Sequence, residues 1–227
     1  MQVLTDKAPY HHGDLRRAVL DASLELVARA GPDGFSLREA ARKVGVSATA
    51  CYRHFADKSA VLRELAAEGF AELARAMLDA RDRAVHGRRG VARARAHLLA
   101  VGRAYVEFGL SQPARFTLMF QCPEARGRPA ARPDADPYVL LGRALDELAE
   151  VGAVTPLRRR GAETKAWSIV HGLTTLLQGG GISCKDARER EVLIDTTLAF
   201  VVDGLCGTKR PGLAARASRR RARSRRA

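Results

Sequence analysis

The stretch SLREAARKVGVSATACYRHFADK, residues 36–58, decides the fold of the N-terminal region. Ser36 and Glu39 have the spacing of a capping box, which predicts that a helix starts here. Gly45 is predicted to end this helix, because glycine adopts a positive φ at little cost. Ser47 is then the expected cap of a second helix over about residues 48–55. Two short helices joined by a glycine-containing turn are typical of the helix-turn-helix, which places its second helix in the major groove of DNA.

This stretch also resembles a known family. Its Gly45-Val46-Ser47 and Tyr52-Arg53-His54-Phe55 segments, followed by Asp57-Lys58 and Val61-Leu62, are similar to the N-terminal DNA-binding domain of TetR-family bacterial transcriptional regulators. One departure is Cys51, at a position that usually carries an apolar side chain. A buried cysteine serves as a small hydrophobe, although a redox role is the alternative. The resemblance implies a homodimer that binds a double-stranded DNA operator.

The exposed residues of the predicted helix-turn-helix are of the kinds that bind DNA. Ala48, Thr49 and Arg53 are candidates to reach base edges, since threonine can contact a thymine methyl group and arginine can pair with guanine. By the resemblance, Tyr52, His54 and Lys58 are expected to contact phosphate groups. The candidate DNA-binding residues are Ser36, Arg38, Ser47, Ala48, Thr49, Tyr52, Arg53, His54 and Lys58.

The composition favours an all-α protein, and the resemblance implies that an N-terminal three-helix domain is followed by a larger helical ligand-binding and dimerisation domain. The chain has 227 residues, 46% of them hydrophobic, and residues that favour strands are sparse. We predict a flexible arm over 1–12, the helix-turn-helix domain over 13–58, the second domain over 59–207 and a disordered tail over 208–227. After residue 58, helices are predicted at about 59–85, 91–110, 138–151, 159–178 and 187–206, with a short helix from Pro113. The expected core of the first domain is Val19, Leu26, Phe35, Leu37, Ala41, Val44 and Phe55.

The net charge of +14 is concentrated at the C-terminus, where residues 208–227 contain nine lysines or arginines and no acidic residue. Such a tail is either a solvated end or a sequence-independent phosphate binder. The second possibility gives an alternative function, a nonspecific nucleic-acid-binding protein driven by the tail.

Several functional classes are disfavoured by the motifs that the sequence lacks. The four cysteines have no Cys-x-x-Cys spacing, and His11-His12 is a weak metal signal because adjacent side chains do not converge. We therefore expect no metal and no cofactor. No nucleophile elbow, dinucleotide fingerprint or zinc-protease motif is present, so an enzyme is not expected. No apolar stretch is long enough for a signal peptide or a membrane span, which favours a cytoplasmic protein.

A second informative segment is Trp167-Ser-Ile-Val-His171-Gly172. Trp167 and His171 are four residues apart and so share one face of a helix. This segment resembles the WHG signature of a subgroup of TetR-like regulators, and residues 115–120 resemble its companion motif. These side chains either pack a helical core or line an apolar ligand pocket. The candidate ligand-binding residues are Phe108, Phe116, Met119, Phe120, Tyr138, Trp167 and His171.

These observations lead to one hypothesis, a repressor that a small apolar ligand, of acyl or aromatic type, releases from a palindromic operator. Apolar residues lie on more than one face of the last predicted helix, including Val192 and Phe200. One buried stripe does not need so many. The last two helices are therefore predicted to form a four-helix bundle with their symmetry mates.

Overall fold

The computed structural model describes residues 15–121 and 136–207, and every regular element within them is a helix. The predicted flexible arm, the basic tail and most of the predicted loop over 121–137 lie outside these residues. The helices are α1 (Leu15–Gly34), α2 (Leu37–Val44), α3 (Ala48–Tyr52), α4 (Lys58–Val85), α5 (Gly90–Ser111), α6 (Pro113–Gln121), α7 (Pro137–Glu150), α8 (Pro156–Arg159), α9 (Ala162–Gln178) and α10 (Ala187–Cys206). The predicted all-α fold is confirmed.

The helix-turn-helix is built from the predicted capping residues. The Ser36 hydroxyl accepts a hydrogen bond from the backbone N–H of Glu39 and starts α2, and the Ser47 hydroxyl accepts one from the N–H of Ala50 and starts α3. Gly45 ends α2 with φ +81°. In this left-handed conformation any side chain larger than hydrogen is strained. The two helices are therefore positioned largely by interactions that are local in the sequence.

The second helix of the motif is shorter than predicted. It ends at Tyr52 instead of continuing to Phe55, and the backbone N–H groups of His54 and Phe55 both bond to the carbonyl of Cys51. The turn directs Phe55 into the core, where it is buried, and Asp57 then caps α4 through the N–H of Ala60. The packing of Phe55 and the start of α4 thus end α3 early.

The core beneath the helix-turn-helix contains the predicted residues, with Val44 only partly buried at its edge. One of its members comes from far along the chain, because Leu118 of α6 is fully buried within this cluster. Helix α4 contributes Val61, Leu62 and Leu65 to the same core and then continues into the next one. Both α4 and α6 therefore belong to two cores at once.

The remaining helices pack around α5, which contacts α4, α6, α7, α9 and α10. The predicted helix over 159–178 is wrong at its start, because α8 and α9 are separate helices. Arg160 is extended and Gly161 has φ +61°, so the chain changes direction between them. None of the helices within residues 15–121 and 136–207 combines the length and apolarity of a membrane span.

Candidate nucleic-acid interface and ligand cavity

Most of the predicted DNA-binding residues lie at the surface of α2 and α3. Arg38, Thr49, Arg53 and His54 are exposed, and Tyr52 is 47% exposed although it is a large aromatic residue. Ala48 is half-buried, and Ser36 and Ser47 are exposed caps. The opposite side of α3 is held by Cys51, which is fully buried. Because only this small side chain of α3 is buried, the other side chains of the short helix remain accessible at the surface.

Lys58 differs from the other candidates, because its ammonium group is already in use. Its Nζ donates a hydrogen bond to the backbone carbonyl of Asp33 at 3.0 Å and lies 6.0 Å from the centre of the Phe35 ring. Contact with a phosphate group would require it to leave or to share this site. Through this hydrogen bond Lys58 connects the start of α4 to the end of α1.

The sequence analysis missed Arg42, whose side chain is 83% exposed on the last turn of α2. Arg38 and Arg42 are four residues apart and so lie on the same helix face. The spacing was visible in the sequence and could have identified Arg42. The two guanidinium groups extend the basic surface beside α3.

Cys51 packs as a small hydrophobe in the core. Burial raises the pKa of its thiol, so the reactive thiolate is disfavoured. This environment supports the packing role and not the redox alternative.

The C-terminal half contains a cavity of about 480 Å³ whose walls come from α4, α5, α6, α7 and α9. Its volume lies within the range of small-molecule sites, and its walls are mainly aromatic and aliphatic. The lining residues are Phe70, Met77, Val101, Gly102, Tyr105, Met119, Phe120, Asp136, Pro137, Tyr138, Leu141, Trp167 and Val170.

The cavity includes four of the seven predicted ligand-binding residues, namely Met119, Phe120, Tyr138 and Trp167. Phe116 and His171 do not line it. They stack on each other at 5.4 Å between ring centres and lie behind Phe120. Phe108 is misplaced by the prediction, since it borders a separate groove between α4 and α5. Helical periodicity shows that Phe108 is buried but not which neighbouring helix it meets.

Tyr105 is the central residue that the sequence analysis missed. Its hydroxyl accepts a hydrogen bond from Trp167 Nε1 at 3.0 Å and lies 2.8 Å from His171 Nδ1. Burial lowers the pKa of His171, so the neutral ring is favoured and its Nδ1 accepts a hydrogen bond from the Tyr105 hydroxyl. Burial likewise raises the pKa of Tyr105, although the Trp167 hydrogen bond opposes this. A neutral chain Trp167 to Tyr105 to His171 therefore supports one wall of the cavity.

Helix α6 connects this wall to the helix-turn-helix. Met119 and Phe120 line the cavity, whereas the neighbouring Leu118 is buried beneath the helix-turn-helix. At the start of the same helix, Arg115 is only 8% exposed. A movement of α6 would therefore change the packing of both cores.

A chain of ion pairs extends this connection to α1. Arg115 Nη1 donates to Glu72 of α4 at 2.9 Å and lies 3.7 Å from Glu68. Glu68 accepts a hydrogen bond from Arg17 of α1 at 2.8 Å. The charged groups thus run from α6 across α4 to the first helix of the DNA-binding unit.

No group of three or more histidine, cysteine, aspartate or glutamate side chains among residues 15–121 and 136–207 is placed to hold a metal ion.

Comparison with known proteins relates both halves of the chain to one family. Residues 19–65 match the family model for "Bacterial regulatory proteins, tetR family", and residues 98–201 match that for "Tetracyclin repressor-like, C-terminal domain". The second match contains the Trp167, His171 and Gly172 motif. The specific WHG subgroup stays a prediction.

Two individual relatives are similar to this chain over most of its length. The uncharacterized HTH-type transcriptional regulator YobS of Bacillus subtilis is 27% identical over 191 residues, which cover 84% of this chain and 90% of that protein. A protein of unknown function from Rhodococcus sp. RHA1 is 31% identical with a TM-score of 0.68, and the match covers 88% of this chain and 97% of that one.

The fatty acid degradation regulator FadR of Bacillus halodurans is 16% identical with a TM-score of 0.63, over 88% of this chain and 99% of its own. At this identity the likeness shows the fold alone. The exposed helix-turn-helix surface and the matches over both halves of the chain lead to one conclusion: this protein belongs to the TetR family of bacterial transcriptional regulators.

Proposed function

We propose that this protein is a repressor that binds a palindromic operator as a homodimer. A small apolar ligand, bound in the cavity of the C-terminal half, releases it from the DNA. The observation that carries the proposal is the placement of α6. Met119 and Phe120 form cavity wall, while Leu118 is part of the core that supports α2 and α3. One short helix therefore borders both the ligand site and the DNA-binding unit.

Operator recognition is assigned to the exposed surface of α2 and α3. Thr49 and Arg53, both exposed, are the proposed contacts to base edges, which carry the sequence information of the major groove. Arg38, Arg42, Tyr52 and the hydroxyl groups of the two capping serines are suited to phosphate contacts, which fix the register of the helix. With small residues at 48 and 50, few side chains read bases, so phosphate contacts provide much of the affinity.

Ligand release requires that the ligand bind one conformation more tightly than the other. A ligand in the cavity presses on Phe120 and Met119 and so on α6. Because Leu118 is locked into the other core and Arg115 into the ion pairs of α4 and α1, a shift of α6 carries the DNA-binding unit with it. The separation of the two α3 helices in the dimer, which must be roughly 34–36 Å for successive major grooves, would then change.

The proposed dimer interface consists of α9 and α10. Ile194, Leu198 and Val202 are used within the protomer core, but Phe200 is 70% exposed and Val192 is 54% exposed. Leu176 of α9 is also largely exposed, and a groove beside Phe200 is lined by Ile169, Ala166 and Gly204. An apolar surface on two adjacent helices suits a four-helix bundle with a symmetry mate.

The test of the whole proposal is footprinting on the DNA beside the protein's own gene. We expect protection of one short palindrome and its loss when a ligand found by quenching of Trp167 fluorescence is added. Phe120→Ala should weaken the ability of the ligand to release the protein from the operator, while operator binding itself stays nearly intact. Arg53→Ala should abolish the footprint and leave ligand binding unchanged. Uniform protection along the DNA would instead support nonspecific binding driven by the basic tail.

The dimer has its own test. Phe200→Glu places a charge in the proposed interface, and we expect the protein to sediment as a monomer at micromolar concentration. Val91→Glu adds the same charge at an exposed apolar residue of α5, outside the proposed interface, so it is the matched control and should remain a dimer. A monomeric wild-type protein would remove α9 and α10 from the mechanism.

A further inference from the structure

We propose that the cavity selects an apolar organic cation, such as an alkyl or aryl quaternary ammonium compound, over a carboxylate of the same size. This inference rests on the proposed function, in which the cavity holds the inducer, and goes further by assigning the charge of that inducer. It follows from the side chains that line the cavity and from the hydrogen bonds that those side chains already make.

The cavity is surrounded by aromatic rings that are inclined to one another. Tyr138 and Trp167 meet at 86° with 6.2 Å between ring centres, and Phe70 and Phe120 meet at 81° with 5.5 Å. Phe120 and Trp167 are inclined at 44°. Inclined rings around a pocket form the aromatic cages that bind quaternary ammonium groups, because ring faces carry negative electrostatic potential.

The formal charge on the cavity wall also favours a cationic ligand. Asp136 is the one charged side chain among the described residues that line the cavity, and none of those residues is a lysine, arginine or histidine. Among these lining residues a carboxylate ligand would lose its hydration without gaining a cationic partner, and it would face a like charge. A cation would gain from both the carboxylate and the rings.

The N-terminus of α7 lies at this wall, and helix N-termini commonly bind anions. Here its donors are already used. Asp136 Oδ1 accepts from the backbone N–H groups of Tyr138 at 2.8 Å and Val139 at 3.3 Å, and the Asp136 carbonyl accepts from Leu140. Pro137 has no N–H to offer. The helix end therefore provides no site for a ligand anion.

Two polar hydrogen atoms of the aromatic wall, those of Trp167 and Tyr105, are also used within the protein. Trp167 Nε1 donates to the Tyr105 hydroxyl, which in turn donates a hydrogen bond to His171 Nδ1. The Tyr138 hydroxyl lies 3.3 Å from the Thr164 hydroxyl, and either of the two can be the donor. A carboxylate needs several donors to replace its hydration, whereas a quaternary ammonium group needs none. The described wall thus offers much ring surface and few free hydrogen-bond donors.

The test uses three probes with the same ten-carbon chain, namely decyltrimethylammonium, decanol and decanoate, each below its micellar concentration. Trp167 is the only tryptophan of the chain and lines the cavity, so quenching of its fluorescence reports binding at this site. We expect decyltrimethylammonium to bind at least about tenfold more tightly than decanoate, with decanol between them. Decanoate binding as tightly as the cation would overturn the inference and leave the proposed ligand site intact.

Asp136→Asn is the matched variant. Asparagine caps helices about as well as aspartate, so α7 should remain folded while the charge is removed, and circular dichroism melting checks this. The preference for the cation over decanoate should fall by about threefold or more, with decanol affinity unchanged. Asp136→Ser, which also caps, provides a second variant. An unchanged preference in both variants would overturn the role of Asp136, and no quenching by any probe would overturn the ligand site itself.

Discussion

The two cores of this protein are both made of packed helices, but they differ in what they border and in what they contain. The core beneath the helix-turn-helix consists mainly of alanine, valine, leucine and phenylalanine side chains around Cys51. The core of the C-terminal half borders a cavity of about 480 Å³. It also contains the hydrogen-bonded chain Trp167, Tyr105 and His171.

This difference corresponds to two mechanical tasks. Close-packed interiors resist deformation because each side chain has few alternative positions. The helix-turn-helix must keep one geometry to fit the major groove, and buried aliphatic and aromatic side chains support it from beneath. A cavity loses dispersion contacts along its walls, and a ligand of matching shape can restore them. The second core is therefore the one whose packing a ligand can change, and α6 is shared between the two.

The largest predicted effect comes from comparing neighbouring residues of α6, one in each core. Leu118→Ala removes a fully buried side chain from the close-packed core and should lower the free energy of unfolding by about 2–5 kcal/mol. Phe120→Ala removes a side chain that already borders the cavity, so it should cost less than the about 3–5 kcal/mol typical of a buried phenylalanine. Urea unfolding measures both.

Operator affinity separates the two variants further. Because Leu118 supports the helix-turn-helix, Leu118→Ala should also weaken operator binding, whereas Phe120→Ala should not. If Phe120→Ala proves the more destabilising of the two, the cavity wall is as tightly packed as the first core and the comparison fails.

The features that could be predicted from the sequence are those set by local interactions. Ser36, Gly45 and Ser47 were identifiable because a helix cap involves only residues within one turn. Buried residues such as Val19 and Leu26 were identifiable because they follow the helical period. Both signals require no knowledge of which helices pack together.

The cavity could be predicted only in part, because its walls come from helices distant in sequence. Phe108 and Tyr105 are three residues apart on α5 and equally apolar in pattern, yet only Tyr105 lines the cavity. The position of Leu118 in the N-terminal core likewise depends on how α6 docks. The early end of α3 depends on Phe55 reaching a core whose position the local sequence does not encode.

A smaller effect is expected for the connection between the two cores. Arg115→Met removes the ion pairs of α6 with Glu72 and Glu68 while retaining much of the apolar stem. The coupling free energy between ligand and operator, typically about 1–3 kcal/mol, should fall by about 1 kcal/mol. Operator titrations with and without ligand measure it.

The control for this experiment is Arg103→Met. Arg103 also forms ion pairs between helices, with Glu191 and Asp195 of α10, but it does not touch α6. Its replacement should leave the coupling unchanged. An equal loss in both variants would show that surface charge in general, and not the α6 connection, sets the coupling.

The smallest predicted effect concerns the half-buried imidazole of His171 in the second core. Burial among Tyr105, Phe116, Phe120 and Trp167 lowers the pKa of His171 below its usual value of about 6.5. The unfolded chain therefore binds a proton at higher pH than the folded protein does. This contribution to stability is fully present above about pH 6.5 and is lost as the pH falls towards the folded pKa. Acidification from pH 7.5 to 5.5 should thus destabilise the wild-type protein in part through this residue.

His171→Asn removes the titrating ring and should lose less stability over the same pH interval, by less than about 1.4 kcal/mol for each unit of the shift. Tyr105→Phe keeps the half-buried imidazole and should keep the acid sensitivity. His97, whose pKa is also lowered by burial, contributes equally to all three proteins and cancels in the comparison. Urea unfolding at the two pH values measures the difference. If His171→Asn is as sensitive to acid as the wild type, the lowered pKa of His171 contributes nothing to the pH dependence of stability. The imidazole would then be as accessible to solvent as a surface residue.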